Sequence, residues 1–154
     1  MDYSFPKNER IVSQKLIDEL FTSGQGSSLV AFPLRAVYLL KSQTSARPKD
    51  ACYQRDARNL KSQILVSVPK KHFKHAVDRN RIKRQVREAY RKNKHLLTLA
   101  PPLCPEPIPE QCSPTRSLST LLIAFVWMAP QHQPSDVVEN RVVTLLKKIA
   151  VKLG

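Results

Sequence analysis

The sequence predicts an α+β fold with elements in the order α-β-β-α-β-α, and a proline at position 33 leaves room for one strand more. Three observations carry this. Segments 13–23 and 135–153 repeat apolar residues at helical spacing. Segments 63–68 and 119–128 are short runs rich in strand-forming residues. Between them, residues 70–94 combine dense charge with an apolar stripe of helical period. A chain of 154 residues builds one domain with a real core, and its 42% apolar content argues against wholesale disorder.

The first helix starts at Ser13, a suitable N-cap, places Leu16, Ile17, Leu20 and Phe21 on one face, and stops at Gly24. "SLVAFPLRAVYLL" (28–40) is rich in strand formers but broken by Pro33, so it forms an edge strand or two short strands joined at a bend. Residues 41–61 are polar and without period, a long loop. "QILVSV" (63–68) is a strand that Pro69 ends. Six prolines in residues 100–114 forbid helix and central strand and mark a surface insertion. "STLLIAFVWM" (119–128) is apolar on both faces and suits a central strand covered on two sides. The last segment, capped by Ser135 or Asp136, aligns Val138, Val142, Leu145, Leu146, Ile149 and Leu153 as the buried face of a helix packed on the sheet.

Charge limits the partners. Lys and Arg exceed Asp and Glu by fourteen, which favours a polyanion, with nucleic acid ahead of an anionic membrane surface. The start of the chain is polar, and the longest apolar run, 121–129, is too short to span a bilayer. A cytoplasmic location is expected, with Cys52, Cys104 and Cys112 as reduced thiols. The 104–112 spacing fits no familiar zinc pattern. His72 and His75 lie among lysines that disfavour a bound cation, and they read as solvated or phosphate-facing imidazoles.

Residues 70–94, "KKHFKHAVDRNRIKRQVREAYRKNK", hold eleven Lys or Arg and two acids. Pro69 and Pro101 bracket a helix of about five turns. At roughly 100° per residue, Ile82, Val86, Ala89 and Tyr90 fall in one narrow arc, with Asn80, Arg84, Arg87 and Arg91 opposite and Lys83 at the border. A merely solvated face would mix signs through i,i+4 pairs, whereas here Glu88 alone offers relief. Guanidiniums match phosphate oxygens and stack on bases, so this row points to polyanion binding. Arg79 lies near the apolar seam, where charge alone does not account for it. Asn80 adds no charge, and its amide suits hydrogen bonds that fix the passage from strand to helix.

"SVPKKHFKHAVDRNRIKRQVREAYR" resembles the signature of the bacterial ribonuclease P protein component. In that family a strand ends in a lysine pair, here Lys70 and Lys71, and a short loop leads to a helix with an Arg-Asn-Arg core. Arg79, Asn80 and Arg81 match that core, and Lys83 and Arg84 follow as in the family. The resemblance covers nearly the whole chain as one domain, except insertions at about 41–61 and 100–117. It implies a two-layer α/β sandwich, α-β-β-β-α-β-α, with the basic helix in a left-handed βαβ crossover, against the usual right-handed rule. It implies a subunit of an RNA-based endonuclease that removes the 5′ leader of precursor tRNA, with magnesium held mainly by RNA phosphates. One protein per catalytic RNA is expected, with no membrane partner. Lys70, Lys71, Arg79, Asn80, Arg81, Lys83, Arg84, Arg87 and Arg91 would then meet the catalytic RNA. Phe21 and Tyr38 match aromatic places in a cleft between the first helix and the sheet, which receives single-stranded leader by stacking. Each also suits ordinary core packing. Ile17 stands where many members carry a further aromatic, which reduces that platform.

The sequence offers no protein-borne catalytic site: no Ser-His-Asp arrangement, no paired carboxylates with a clear partner, no acidic cluster for magnesium. A different class of function, a ribosome-associated RNA-binding protein or RNA chaperone, would use the same charge. A duplex-DNA reader ranks lower, because no tight helix-turn-helix precedes the basic helix.

Overall fold

The computed structural model describes residues 5–22, 24, 26–43, 61–98 and 118–153. Four strands, β1 (Ser27–Ala31), β2 (Leu34–Gln43), β3 (Lys61–Ser67) and β4 (Leu118–Trp127), form one sheet in the order β1-β2-β4-β3. Pro33 marks a true division, since β1 and β2 are an antiparallel hairpin whose last pair is Ala31 with Leu34. The seven-element order follows: α1 (Gln14–Thr22), the hairpin, β3, α2 (Ala76–Asn93), β4 and α4 (Ser135–Leu153), with a single-turn α3 (His95–Thr98) after α2. β3 and β4 are parallel neighbours, so α2 lies within a βαβ unit. The insertions lie mostly outside the described residues, as do all three cysteines; their bounds tighten because Lys41–Gln43 extend β2 and Lys61 opens β3.

β4 is central, and residues 121–125 are buried on both faces, as an unbroken apolar run requires. On one face Leu121, Ile123, Phe125 and Trp127 join Leu34, Ala36 and Tyr38 of β2 and Ile64 and Val66 of β3. α2 contributes Ile82, Val86, Ala89 and Tyr90 to this core, and α4 contributes Val138, Val142, Leu145, Leu146 and Ile149. The opposite face is smaller: Val37, Leu39, Leu122 and Ala124, with Leu65 alongside, are covered by Ile11 and by Leu16, Ile17 and Leu20 of α1. The two-layer sandwich is therefore sheet against α2 and α4, and α1 shelters only part of the second face.

The Ser13 backbone carbonyl accepts the Leu16 and Ile17 amides at 3.1 and 3.2 Å and so starts α1. After its last turn Gly24 adopts φ +66°, a left-handed conformation that a side chain disfavours. Ahead of α1, a 3₁₀ turn at Lys7–Glu9 brings Arg10 into a parallel bridge with Ile64, and the Ile11 amide donates to the Ile64 carbonyl at 3.0 Å. This segment shields part of the β3 edge.

Candidate nucleic-acid interface

The buried stripe on α2 fixes which way its charges point. Ile82, Val86 and Tyr90 are fully buried, so Asn80, Arg81 and Arg84 stand exposed, with Lys83 and Arg87 half-buried beside them. Lys70 and Lys71 are exposed in the turn after β3, which the Pro69 carbonyl closes by accepting the His72 and Phe73 amides. Phe73 is buried and pins that turn to the core.

Arg79 supplies the geometric element. Its Nη1 donates to the Phe73 and Lys74 carbonyls, both at 2.8 Å, and ties the loop to the first turn of α2. His75 at the N-cap makes no capping bond through its side chain, so the loop depends on this guanidinium. The role assigned to Asn80 from the sequence therefore moves to Arg79. Asn80 is exposed, and among the described residues its amide has no hydrogen-bond partner. Asp78 sits in the first turn, where the helix dipole favours an acid, and meets His132 Nε2 at 3.2 Å.

The cations of α2 are not equivalent. Arg91 is held by Glu88 through two bonds, Nε to Oε2 at 2.8 Å and Nη2 to Oε1 at 2.6 Å. That hydrogen bonding keeps the Glu88 carboxyl below, and the Arg91 guanidinium above, its ordinary range. Lys92 faces Glu139 at 3.4 Å and Lys94 faces Glu9 at 2.9 Å. Among the described residues Arg81, Lys83 and Arg84 have no acidic partner. Burial, and secondarily Arg10, lower the Arg87 pKa; Arg10 is itself held over the Phe5 ring at 5.1 Å, and Phe5 meets Tyr90 edge-on at 6.0 Å. A second surface thus flanks α2 on the side of the N-terminal segment, and sequence reasoning missed it because three residues of 3₁₀ turn show no period.

The predicted aromatic pair separates. Phe21, at the end of α1, is 49% exposed beside the partly covered sheet face, whose helix is anchored by a 2.6 Å bond from Lys41 to Glu19. Tyr38 is 6% exposed and belongs to the core beneath α2 and α4, on the opposite face. It follows the core-packing reading and cannot stack on RNA in the cleft. Residues that do reach the uncovered face are Val30, Arg35, Val126 and Ser67, paired in one row across all four strands. The signal was present in the sequence: Arg35 is the sole charge in 28–40, and Tyr38 lies at odd separation from it.

Most of the described carboxylates are committed to neighbouring basic side chains. Glu9, Glu19, Glu88 and Glu139 each face a cation and Asp78 faces His132, and the described residues hold no cluster of three metal-ligating side chains.

Fold and site together define a basic α+β protein with a preformed cationic helix on its surface. The chain belongs to the Ribonuclease P family, whose model matches residues 5–101. Similar proteins include the ribonuclease P protein component of Porphyromonas gingivalis, 45% identical over 95 residues, which are 62% of this chain and 58% of that one. That of Chlorobium phaeobacteroides is 35% identical over 123 residues, 78% of this chain and 72% of the relative. The match thus spans less than two thirds of the Porphyromonas protein. Among solved structures, the RNase P protein from Thermotoga maritima aligns with a TM-score of 0.56 and 19% identity over 91% of this chain and 96% of that one, a shared fold. Among the described residues no helix is long and apolar enough to cross a membrane.

Proposed function

We propose that this chain is the protein subunit of ribonuclease P: it binds the catalytic RNA and the 5′ leader of precursor tRNA, while the RNA, with magnesium, cuts the leader. The observation that carries this reading is the cluster Arg81, Lys83 and Arg84, without an acidic partner among the described residues, on a helix whose opposite face is fully buried. Guanidinium and ammonium groups set rigidly at helical spacing suit backbone phosphates, and the affinity they provide comes largely from counterion release. Lys70, Lys71, Arg87 and Arg91 extend the same face, with Arg79 as its organiser. Magnesium is held mainly by RNA phosphates in this reading. Phe21 and the uncovered sheet row supply a separate cleft for single-stranded leader, with Tyr38 no longer part of it. One protein serves each RNA, in the cytoplasm.

Reconstitution with the organism's catalytic RNA and a precursor tRNA tests this. The protein should lower the magnesium needed for cleavage and raise affinity for precursor over mature tRNA. Equal affinity for both forms, with no effect on cleavage, would overturn it.

A further inference from the structure

Beside the arginine face lies an open groove of about 440 Å³, lined by Val77, Asn80, Arg81, Arg84 and Gln85 of α2 and by Ser135 at the start of α4. Its second wall is not a chance neighbour. The loop between β4 and α4 is latched to α2 at two places. His132 meets Asp78 at 3.2 Å and packs on the Phe73 ring at 4.8 Å, near the first turn. Two turns on, Gln85 Nε2 donates to the Gln133 carbonyl at 3.4 Å and to Ser135 Oγ at 3.1 Å. The Gln133 carbonyl requires a donor, which fixes the orientation of the Gln85 amide. The groove is therefore formed before any ligand arrives.

Its lining has a definite chemistry. Val77 is 78% exposed in the first turn of an otherwise charged helix, an apolar surface with no part in the core. Arg81 and Arg84 lack acidic partners among the described residues, and Asn80 offers both a donor and an acceptor. Apolar wall, amide edge and two guanidiniums answer the three parts of a nucleotide: base face, base edge and phosphate. A fully paired helix would use the guanidiniums and leave Val77 and the groove idle.

We propose that this groove receives one unstacked nucleotide of the RNA bound by α2, its base against Val77 and its edge toward Asn80, with Arg81 and Arg84 on the flanking phosphates. Gln85 and His132 are positioning residues that hold the second wall. The proposal rests on the RNA-binding reading above and adds to it a requirement for an unpaired nucleotide.

The test uses the full chain with the catalytic RNA, probing each nucleotide chemically with and without protein. One unpaired nucleotide should be protected by the natural protein and regain its reactivity with Val77→Ser, while backbone protection beside it persists. Val77→Ser should weaken binding about five- to tenfold with no change in the salt slope, since no cation is removed. Gln85→Ala should act in the same direction and to a smaller extent. Val77 lies outside the core, so the fold tolerates its change. Natural affinity and protection in Val77→Ser, or a fully paired RNA duplex binding as tightly as the catalytic RNA, would overturn the groove while leaving the subunit reading intact. Failure of the natural protein to prefer the catalytic RNA over an unrelated structured RNA would overturn the subunit reading itself, and the groove with it.

Discussion

The two halves of α2 carry similar charge and do opposite things with it. In the C-terminal half, Arg91 is held by Glu88 and Lys92 by Glu139, and Lys94 just beyond is paired with Glu9. Cations there also favour the negative end of the helix dipole. In the N-terminal half, Arg81, Lys83 and Arg84 have no acid among the described residues. In the first turn, Asp78 meets the positive end of the helix dipole and Arg79 turns its charge onto carbonyls. The last turns commit Arg91 and Lys92 to acids of the same chain, whereas Arg81, Lys83 and Arg84 have none among the described residues, as the RNA-binding proposal requires.

Removing Arg81 and Arg84 together separates the two halves most strongly. Arg81→Ala/Arg84→Ala should reduce RNA affinity roughly 100-fold and the salt slope by about two, at one phosphate per cation. Thermal stability should stay level, since both side chains are exposed and have no acidic partner among the described residues. Loss of stability equal to the loss of binding would show that these residues serve the fold.

Tyr90 tests the other half. Its ring is buried against Phe5 and its hydroxyl meets Ser62 Oγ at 2.6 Å; burial pushes its pKa up to about 12. A folded pKa above the unfolded value of about 10 means the contribution is whole below pH 10 and is lost as pH rises toward 12. Tyr90→Phe should be about 1 kcal/mol less stable at pH 7, from the missing hydrogen bond. Its stability should then fall less than that of the natural protein between pH 10 and 12, by roughly 2–3 kcal/mol at 1.36 per pH unit. Parallel denaturant titrations showing equal decline would contradict the assignment.

These residues also show what the sequence made legible. The stripe Ile82, Val86, Ala89 and Tyr90 stood out because charge surrounds it, and all four are buried. Tyr38 failed because β2 is apolar on both faces; alternation cannot orient such a strand unless Arg35 is used as the marker of the open side. Arg79 was conspicuous by position, yet its partners are backbone carbonyls of residues 73 and 74. No side-chain pattern encodes where a turn closed by Pro69 will aim those carbonyls. The Gln85 and His132 latches join segments about fifty residues apart, beyond the reach of local periodicity.

Arg79 allows the two roles to be separated within one half. Arg79→Ala removes two charge-assisted bonds, so stability should fall by about 1–2 kcal/mol and RNA affinity should fall with it. The salt slope should change by less than one, because this guanidinium is already committed to carbonyls. Asn80→Ala, by contrast, should leave thermal stability unchanged. A full unit of slope lost in Arg79→Ala would place its charge on a phosphate instead.

The smallest expected effect addresses the boundary between the halves. Glu88 is exposed, so its pair with Arg91 adds little to stability, as exposed pairs do. Its depressed pKa gives the sign: the contribution is present above the usual carboxylate range and is lost as acid protonates the group. Glu88→Gln should therefore barely change the unfolding midpoint at neutral pH. It should loosen the Glu88 hold on Arg91, raising RNA affinity up to two- to threefold and steepening the salt slope by less than one. Unaltered RNA binding would mean that the RNA stops short of this turn, and that the division between the halves is also the edge of the interface.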